Sequence, residues 1–307
     1  MKKLIFLFSL FAITYSLSPG VIHAQEVSLS IAPPLTELTI QPGKSFSQTF
    51  TVKNNGMPVV IVPKIFPFVP LDRLGHAEII EDKTTLDAFN GWFIFDQSPY
   101  SLGENGTHDF IVKITPPGWA EEKDYYFTFL VETQNDNNIG VNNTQAQARV
   151  GANILINTSK DGNPTKKASI IDFSAPRFID SFWGLNYKVL IGNSGSSFFK
   201  PTGKITIDQI VGGKTTTLNL APLNVLVGGK REVFCIEGQD LVPCSLPGKF
   251  LIGIYRANLS FTIDGSGESI EKQTYTVAFP FTVLLGLVMI GFSYYLITKF
   301  QHLKTMT

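Results

Sequence analysis

The residues with most scope for chemistry are few. The chain has two cysteines, Cys235 and Cys244, with Glu237-Gly238-Gln239-Asp240 between them as a turn. Thiols so placed fit a disulfide that closes a hairpin loop, with two free buried thiols as the alternative. A metal site wants several Cys or His at convergent spacing, and between the apolar segments at the two ends only His76 and His108 stand. There is no nucleophile elbow, no zinc-binding helix and no phosphate-cradling glycine loop in the sequence. Carboxylates do come together, at Glu121-Glu122 and at Glu78 with Glu81 and Asp82. Their neighbours are polar, which is not the apolar setting that turns a carboxyl into a general acid. The expectation is a protein without catalytic residues, cofactor or metal.

One stretch could instead bind a partner. In Gly195-Ser196-Ser197-Phe198-Phe199-Lys200-Pro201 two phenylalanines are adjacent, and in extended chain adjacent side chains point to opposite faces, so both cannot enter one core. The spare ring either packs between domains or under a loop, or it stands exposed beside Lys200 as the anchor of a binding hot spot. Phe198, Phe199 and Lys200 are therefore the partner-binding candidates. A second polar stretch, Gln134 to Asn143, offers oxygen ligands that calcium would accept, but only Asp136 is charged. A hairpin loop is the better reading of it.

The elements that must position these residues are mostly strands. Residues 1–24 have the parts of a secretory signal: Lys2 and Lys3, an apolar run from Leu4 to Leu17, and Val21-Ile22-His23-Ala24 before the cut. Residues 277–297 lack any charge and are long enough to cross a bilayer as a helix. Lys299 and Lys304 follow within 298–307, a short basic tail placed in the cytoplasm by the bias of cations toward that side. About 250 residues remain outside, one large or two ordinary β domains by size. Charged residues are 16% of the chain, its formal net charge is +0 and its pI about 6.9. No field of one sign steers it toward nucleic acid.

Within those residues, apolar and polar positions alternate in short runs, the mark of strands with one buried face. Phe46, Phe50 and Val52 alternate with Ser47, Thr49 and Thr51 between turns at Gln41-Pro42-Gly43 and Asn54-Asn55-Gly56. Phe110, Val112 and Ile114 repeat the pattern, as do Tyr125, Phe127, Phe129 and Val131. Asn157 to Lys167 holds loop formers and no large apolar residue, so a boundary belongs there. The pattern then resumes with Tyr187, Val189 and Ile191 and continues through Leu259, Phe261 and Ile263. The expected fold is all-β: two immunoglobulin-like β-sandwiches in tandem, at 25–160 and 161–275, followed by one transmembrane helix.

The order of these parts resembles the bacterial WxL-interacting surface proteins. The matching features are Gln41-Pro42-Gly43-Lys44 through Phe50-Thr51-Val52-Lys53-Asn54-Asn55, then Trp92 through Ile111-Val112-Lys113-Ile114-Thr115-Pro116-Pro117 to Tyr125-Tyr126, and Gly192-Asn193-Ser194-Gly195 through Lys200-Pro201-Thr202-Gly203-Lys204. The resemblance implies a cell-surface scaffold whose first domain looks like a peptidoglycan-binding module and whose second binds a surface or host protein. After Pro117 the sequence departs from the family, with Gly118-Trp119-Ala120-Glu121-Glu122-Lys123-Asp124 replacing its Pro-Gly approach to the tyrosine strand. Two functions follow from these expectations. The first is a non-catalytic, single-pass membrane protein that binds cell-wall polymer or another surface or host protein. The second is a chaperone-like protein that lends a strand to exported subunits.

Overall fold

The computed structural model describes residues 28–134, 148–248 and 250–304. The expected signal, 1–24, and all but the first residue of the polar stretch 134–143 lie outside the described residues.

The first sandwich is two antiparallel-rich sheets. One runs β1 (Leu29–Ala32), β3 (Phe46–Asn54), β8 (Thr107–Ile114), β6 (Phe93–Ile94). The other runs β2 (Leu35–Ile40), β10 (Arg149–Thr158), β9 (Asp124–Gln134), β4 (Val59–Pro70), β5 (Ala77–Ile79), with β7 (Tyr100–Leu102) also paired to β4. A helix of one turn, Lys83–Asp87, is capped by Asp82 and bridges two of these strands. The chain changes sheets between β1 and β2 at Pro33-Pro34, where two residues without an N–H cannot extend a ladder. The expected alternation is present in β3, where Phe50, Val52 and Asn54 are buried, and in β8, where Phe110, Val112 and Ile114 are. These residues meet Phe127, Phe129, Ile154 and Ile156 in one core, with the rings of Phe50 and Phe129 stacked at 4.9 Å.

The second sandwich packs a sheet of β11 (Ala168–Ser174), β14 (Lys188–Asn193) and β17 (Lys230–Glu232) on a larger one. The larger sheet runs β12 (Phe178–Asp180), β22 (Ser266–Phe279), β21 (Gly253–Ile263), β15 (Pro201–Gln209), β16 (Thr215–Leu220), β18 (Cys235–Glu237), β19 (Asp240–Val242). A small pair, β13 (Leu185–Asn186) with β20 (Ser245–Leu246), closes one side. Leu185, Val189, Ile191, Phe199, Ile205, Leu259 and Phe261 form its core. Cys235 and Cys244 are joined as a disulfide, both buried at the edge of that core. No strand lies between Thr158 and Ala168, the stretch that carries the expected boundary.

The C-terminal helix differs from the expectation in its start. Residues 277–279 are strand: Val277 and Ala278 pair with Ile254 and Gly253 on one side, and 277–279 pair with β12 on the other. Their backbone groups are already committed to the sheet, and Ala278 is buried. Pro280 ends the strand, its carbonyl accepts the first helical bond from Leu284, and the helix runs Phe281–Lys304 rather than 277–297. The second sandwich accordingly extends to Phe279 instead of 275. Nineteen residues of the helix, Phe281–Lys299, are apolar enough to cross a membrane, with a mean hydropathy of 1.9. At the helical rise these cover about 29 Å, the thickness of a hydrocarbon core.

Candidate functional site

Much of the outer face of the first sandwich's larger sheet is buried. Phe66, Phe68, Leu130, Leu155 and Thr128 are all buried, although none belongs to the sandwich core. Phe68 and Leu155 face Leu223, Asn224 and Leu226 of the second sandwich across one cavity, and the sequence's partner-binding candidates lie at the same junction.

Phe199 is 1% exposed and belongs to the second core, where its backbone bonds Val225 in both directions. Phe198 is half-buried and points the other way, as alternation requires; its N–H donates to Oδ2 of Asp124 in the first sandwich. Lys200 Nζ pairs with Glu37 Oε2 of β2 at 2.7 Å, and Asn224 Nδ2 donates to the other oxygen of the same carboxylate. The segment is thus a joint between domains. Of the two alternatives for Phe198, Phe199 and Lys200, this geometry favours the interdomain one over the exposed hot spot, because the Phe198 backbone and the Lys200 cation both have partners in the first sandwich.

Asp124 is the centre of that joint. Its carboxylate also accepts from Asn157 Nδ2 at 2.7 Å and from the Tyr126 hydroxyl at 2.8 Å, and the Tyr126 oxygen accepts the Val227 N–H at 3.0 Å. Burial pushes the Asp124 carboxyl above its ordinary value, while these donors oppose the shift. Burial likewise raises the Tyr126 phenol, and the neighbouring Asp124 charge adds to it. Nothing in the sequence pattern marked this pair beyond the position of Tyr125-Tyr126 in a strand.

Beside the joint, a cavity of about 220 Å³ opens between the domains, walled by Leu35, Phe68, Leu155 and Leu223 with Asn153 and Arg231 as polar members. The Arg231 guanidinium lies on the backbone of Gly75, where a Cβ would fall 1.2 Å from Nη1. Gly75 also has φ +92, so two independent constraints require glycine there. Arg231 Nε is buried without a hydrogen-bond partner, and burial lowers the guanidinium's affinity for its proton while Asp72 restores part of it. Asp72 itself is occupied by the His76 ring and by the N–H groups of Leu74, Gly75 and His76, which hold its carboxyl down at about 2.

Toward its start, β10 lacks a ladder partner on one edge. β2 pairs with β10 only from Asn153 onward, where the Asn153 N–H meets the Pro34 carbonyl at 2.9 Å. Residues 149–152 of β10 are paired with β9 on one side, and among the described residues no strand pairs with them on the other. Strand alternation puts the N–H and C=O of Arg149 and Gly151 on the same edge as those of Asn153. The arrangement offers unpaired backbone donors and acceptors on a strand whose next residues, Asn153 and Leu155, line the cavity that Arg231 also lines. It brings together no nucleophile with a base. The two histidines lie apart from each other, His76 in the turn after β4 and His108 in β8, stacked on Tyr100. No cluster of three metal-ligating side chains occurs among the described residues.

No family model and no curated protein matches the chain. Among solved structures it is similar to the class 5 fimbriae chaperone CfaA, at 9% identity over 81% of this chain and 99% of that one, with a TM-score of 0.38. It is also similar to the E. coli chaperone DraB, at 11% identity over 81% and 98%, TM-score 0.39. A PapD-like domain of human CEP192 matches at 14% identity over 47% and 94%, TM-score 0.32. The fold class stands on the chain's own sheets and cores: tandem immunoglobulin-like β-sandwiches. Among its described residues one apolar helix, Phe281–Lys304, is long enough to cross a membrane.

Proposed function

We propose that this chain is a non-catalytic, membrane-anchored surface protein that binds an extended segment of another surface or exported protein by strand addition at the junction of its two sandwiches. The observation that carries the reading is the free half of β10, where the line of β2 stops at Leu35 while its neighbour continues upward. A polypeptide laid there would continue the sheet through main-chain bonds to Arg149 and Gly151, with its side chains reaching the cavity at Arg231. Backbone donors and acceptors at strand spacing match a peptide better than a wall polysaccharide, so of the two partner classes expected from the sequence the protein is favoured. The chaperone-like function uses the same edge. It differs only in releasing the segment, and the helix keeps this chain in place when it does.

In the setting that the WxL-interacting resemblance implies, the partner is a surface protein of the same envelope. The helix anchors the chain with the sandwiches outside and Lys299 and Lys304 inside. The test is a photo-crosslinking residue at Arg149 in the full chain in its native envelope, with the same residue at Lys113 on the opposite sheet as control. A protein adduct at Arg149 alone is the expected outcome. Adducts to polysaccharide only, or equal capture from both positions, would refute the proposal.

A further inference from the structure

The end of the second sandwich from which the helix leaves is apolar on its surface. Three loops converge there: residues 181–184 after β12, residues 210–213 between β15 and β16, and residues 250–252 before β21. They are tied together by Leu251 N–H to Ser181 O at 2.7 Å, Gln209 Nε2 to Ile252 O at 2.9 Å and Ile210 N–H to Ile254 O at 2.9 Å. At their tips Phe182, Trp183, Ile210, Val211, Phe250 and Ile252 all face solvent, Trp183 at 64% and Val211 at 70% exposure. Phe182 and Phe250 contact each other at 5.3 Å between ring centres. Phe250 is held at φ +52, a conformation that a phenylalanine in an ordinary surface loop has no reason to adopt. A soluble face rarely gathers so many large apolar tips.

The anchor fixes what lies against this face. Only Pro280 separates β22 from the helix, and the last three residues of β22 are all held by β12, Val277 and Ala278 by β21 as well. Asp180, at the end of β12, then reaches the first turn: it accepts from Thr282 N at 2.8 Å and from Thr282 Oγ1 at 3.2 Å, and from the Phe182 N–H at 3.0 Å. One buried carboxylate thus satisfies one of the free N-terminal donors of the helix and fixes the loop that carries Phe182 and Trp183. The helix cannot swing away from the loops without breaking that cap. With Phe281–Lys299 in hydrocarbon, the three loops are at headgroup depth, where aromatic side chains concentrate. Lys214, exposed next to the Ile210–Val211 tip, carries the charge that lipid phosphates attract.

We infer that this end of the second sandwich is docked into the interfacial layer of the bilayer, Phe182, Trp183, Val211 and Phe250 entering it, so that the ectodomain stands on the membrane at a fixed attitude. The inference rests on the helix spanning the membrane. Its test is the full chain reconstituted in mixed phosphatidylcholine and phosphatidylglycerol vesicles, with and without bromine on the acyl chains near the headgroups. Trp183 is the reporter: Trp92 is buried in the first core and Trp119 belongs to that sandwich's surface. The expected result is a loss of tryptophan emission in the brominated vesicles that Trp183→Phe abolishes. Carbonate extraction reports the anchor separately, and a chain that carbonate removes loses both the anchor and the docking. A chain that resists carbonate but emits equally in both lipids, or whose Trp183 is quenched by aqueous iodide, overturns the docking alone and leaves the face to a protein partner.

Discussion

Truncating the two adjacent phenylalanines separates the core of the second sandwich from the joint that holds it to the first. Phe199 is 1% exposed among Leu185, Ile191, Ile205 and Val225. Phe199→Ala forfeits the transfer of a fully buried aromatic side chain, about 2–3 kcal/mol. It also leaves a cavity of roughly 100 Å³ that at about 24 cal/mol per Å³ adds up to about 2.4 kcal/mol, partly recovered by collapse. A net loss of about 3–5 kcal/mol is expected. Phe198 is half-buried at the junction and its contact with Asp124 is made by its backbone, which alanine keeps. Its truncation should cost about 1 kcal/mol. Urea unfolding of a soluble segment ending at Pro280 measures both, and the segment must include residues 275–279 because they complete β22. Equal losses, or a larger loss for Phe198→Ala, would refute the assignment of the two rings to core and joint.

Reduction of the Cys235–Cys244 bond, which spans a sequence separation of 9, frees a short loop whose closure is worth about 2.6 kcal/mol. The melting temperature of the same segment should fall by roughly 5–10 °C, and an unchanged melt would show that the bond constrains nothing. Asp72 is held at about 2, chiefly by the His76 side chain, below the roughly 3.9 of an unfolded chain. Its contribution to the turn is complete above that unfolded value and lost as pH falls toward 2. The amide signals of Gly75 and His76 should move in that window and stop moving in Asp72→Asn; a midpoint near 4 would contradict the hydrogen-bonded geometry. For the anchor, protease added to intact cells should digest the sandwiches and spare a tag placed after Thr307; loss of the tag would reverse the orientation.

Much of the fold is legible because strands with one buried face must alternate, and β3 and β8 do so in plain sight, while β9 alternates in residue type although both its faces are buried. The turn asparagines were visible too. Asn54 and Asn193 each end a strand two residues before a glycine, and each is buried with its side chain bonded to loop carbonyls and to that glycine's N–H. The start of the helix was not legible, because Val277, Ala278 and Phe279 are as apolar as the helix itself. Only pairing across space to Gly253, Ile254 and β12 assigns them to the sheet. The junction was hidden for the same reason. Asp124, Glu37 and Arg231 read as ordinary surface charges along the chain, and become a joint only when a second domain removes water from them. The free half of β10 depends on where β2 begins beside it, a fact of register that no local pattern carries.

Amide exchange along β10 tests strand addition most directly. In the free chain Val150 and Ala152, whose N–H groups face β9, should be protected while Arg149 and Gly151 exchange fast. In the complex captured through the crosslinking residue at position 149, the amides of that residue and of Gly151 should become protected as well, with Val150 and Ala152 unchanged. Slow exchange of Gly151 already in the free chain, or fast exchange of it in the complex, would contradict the account.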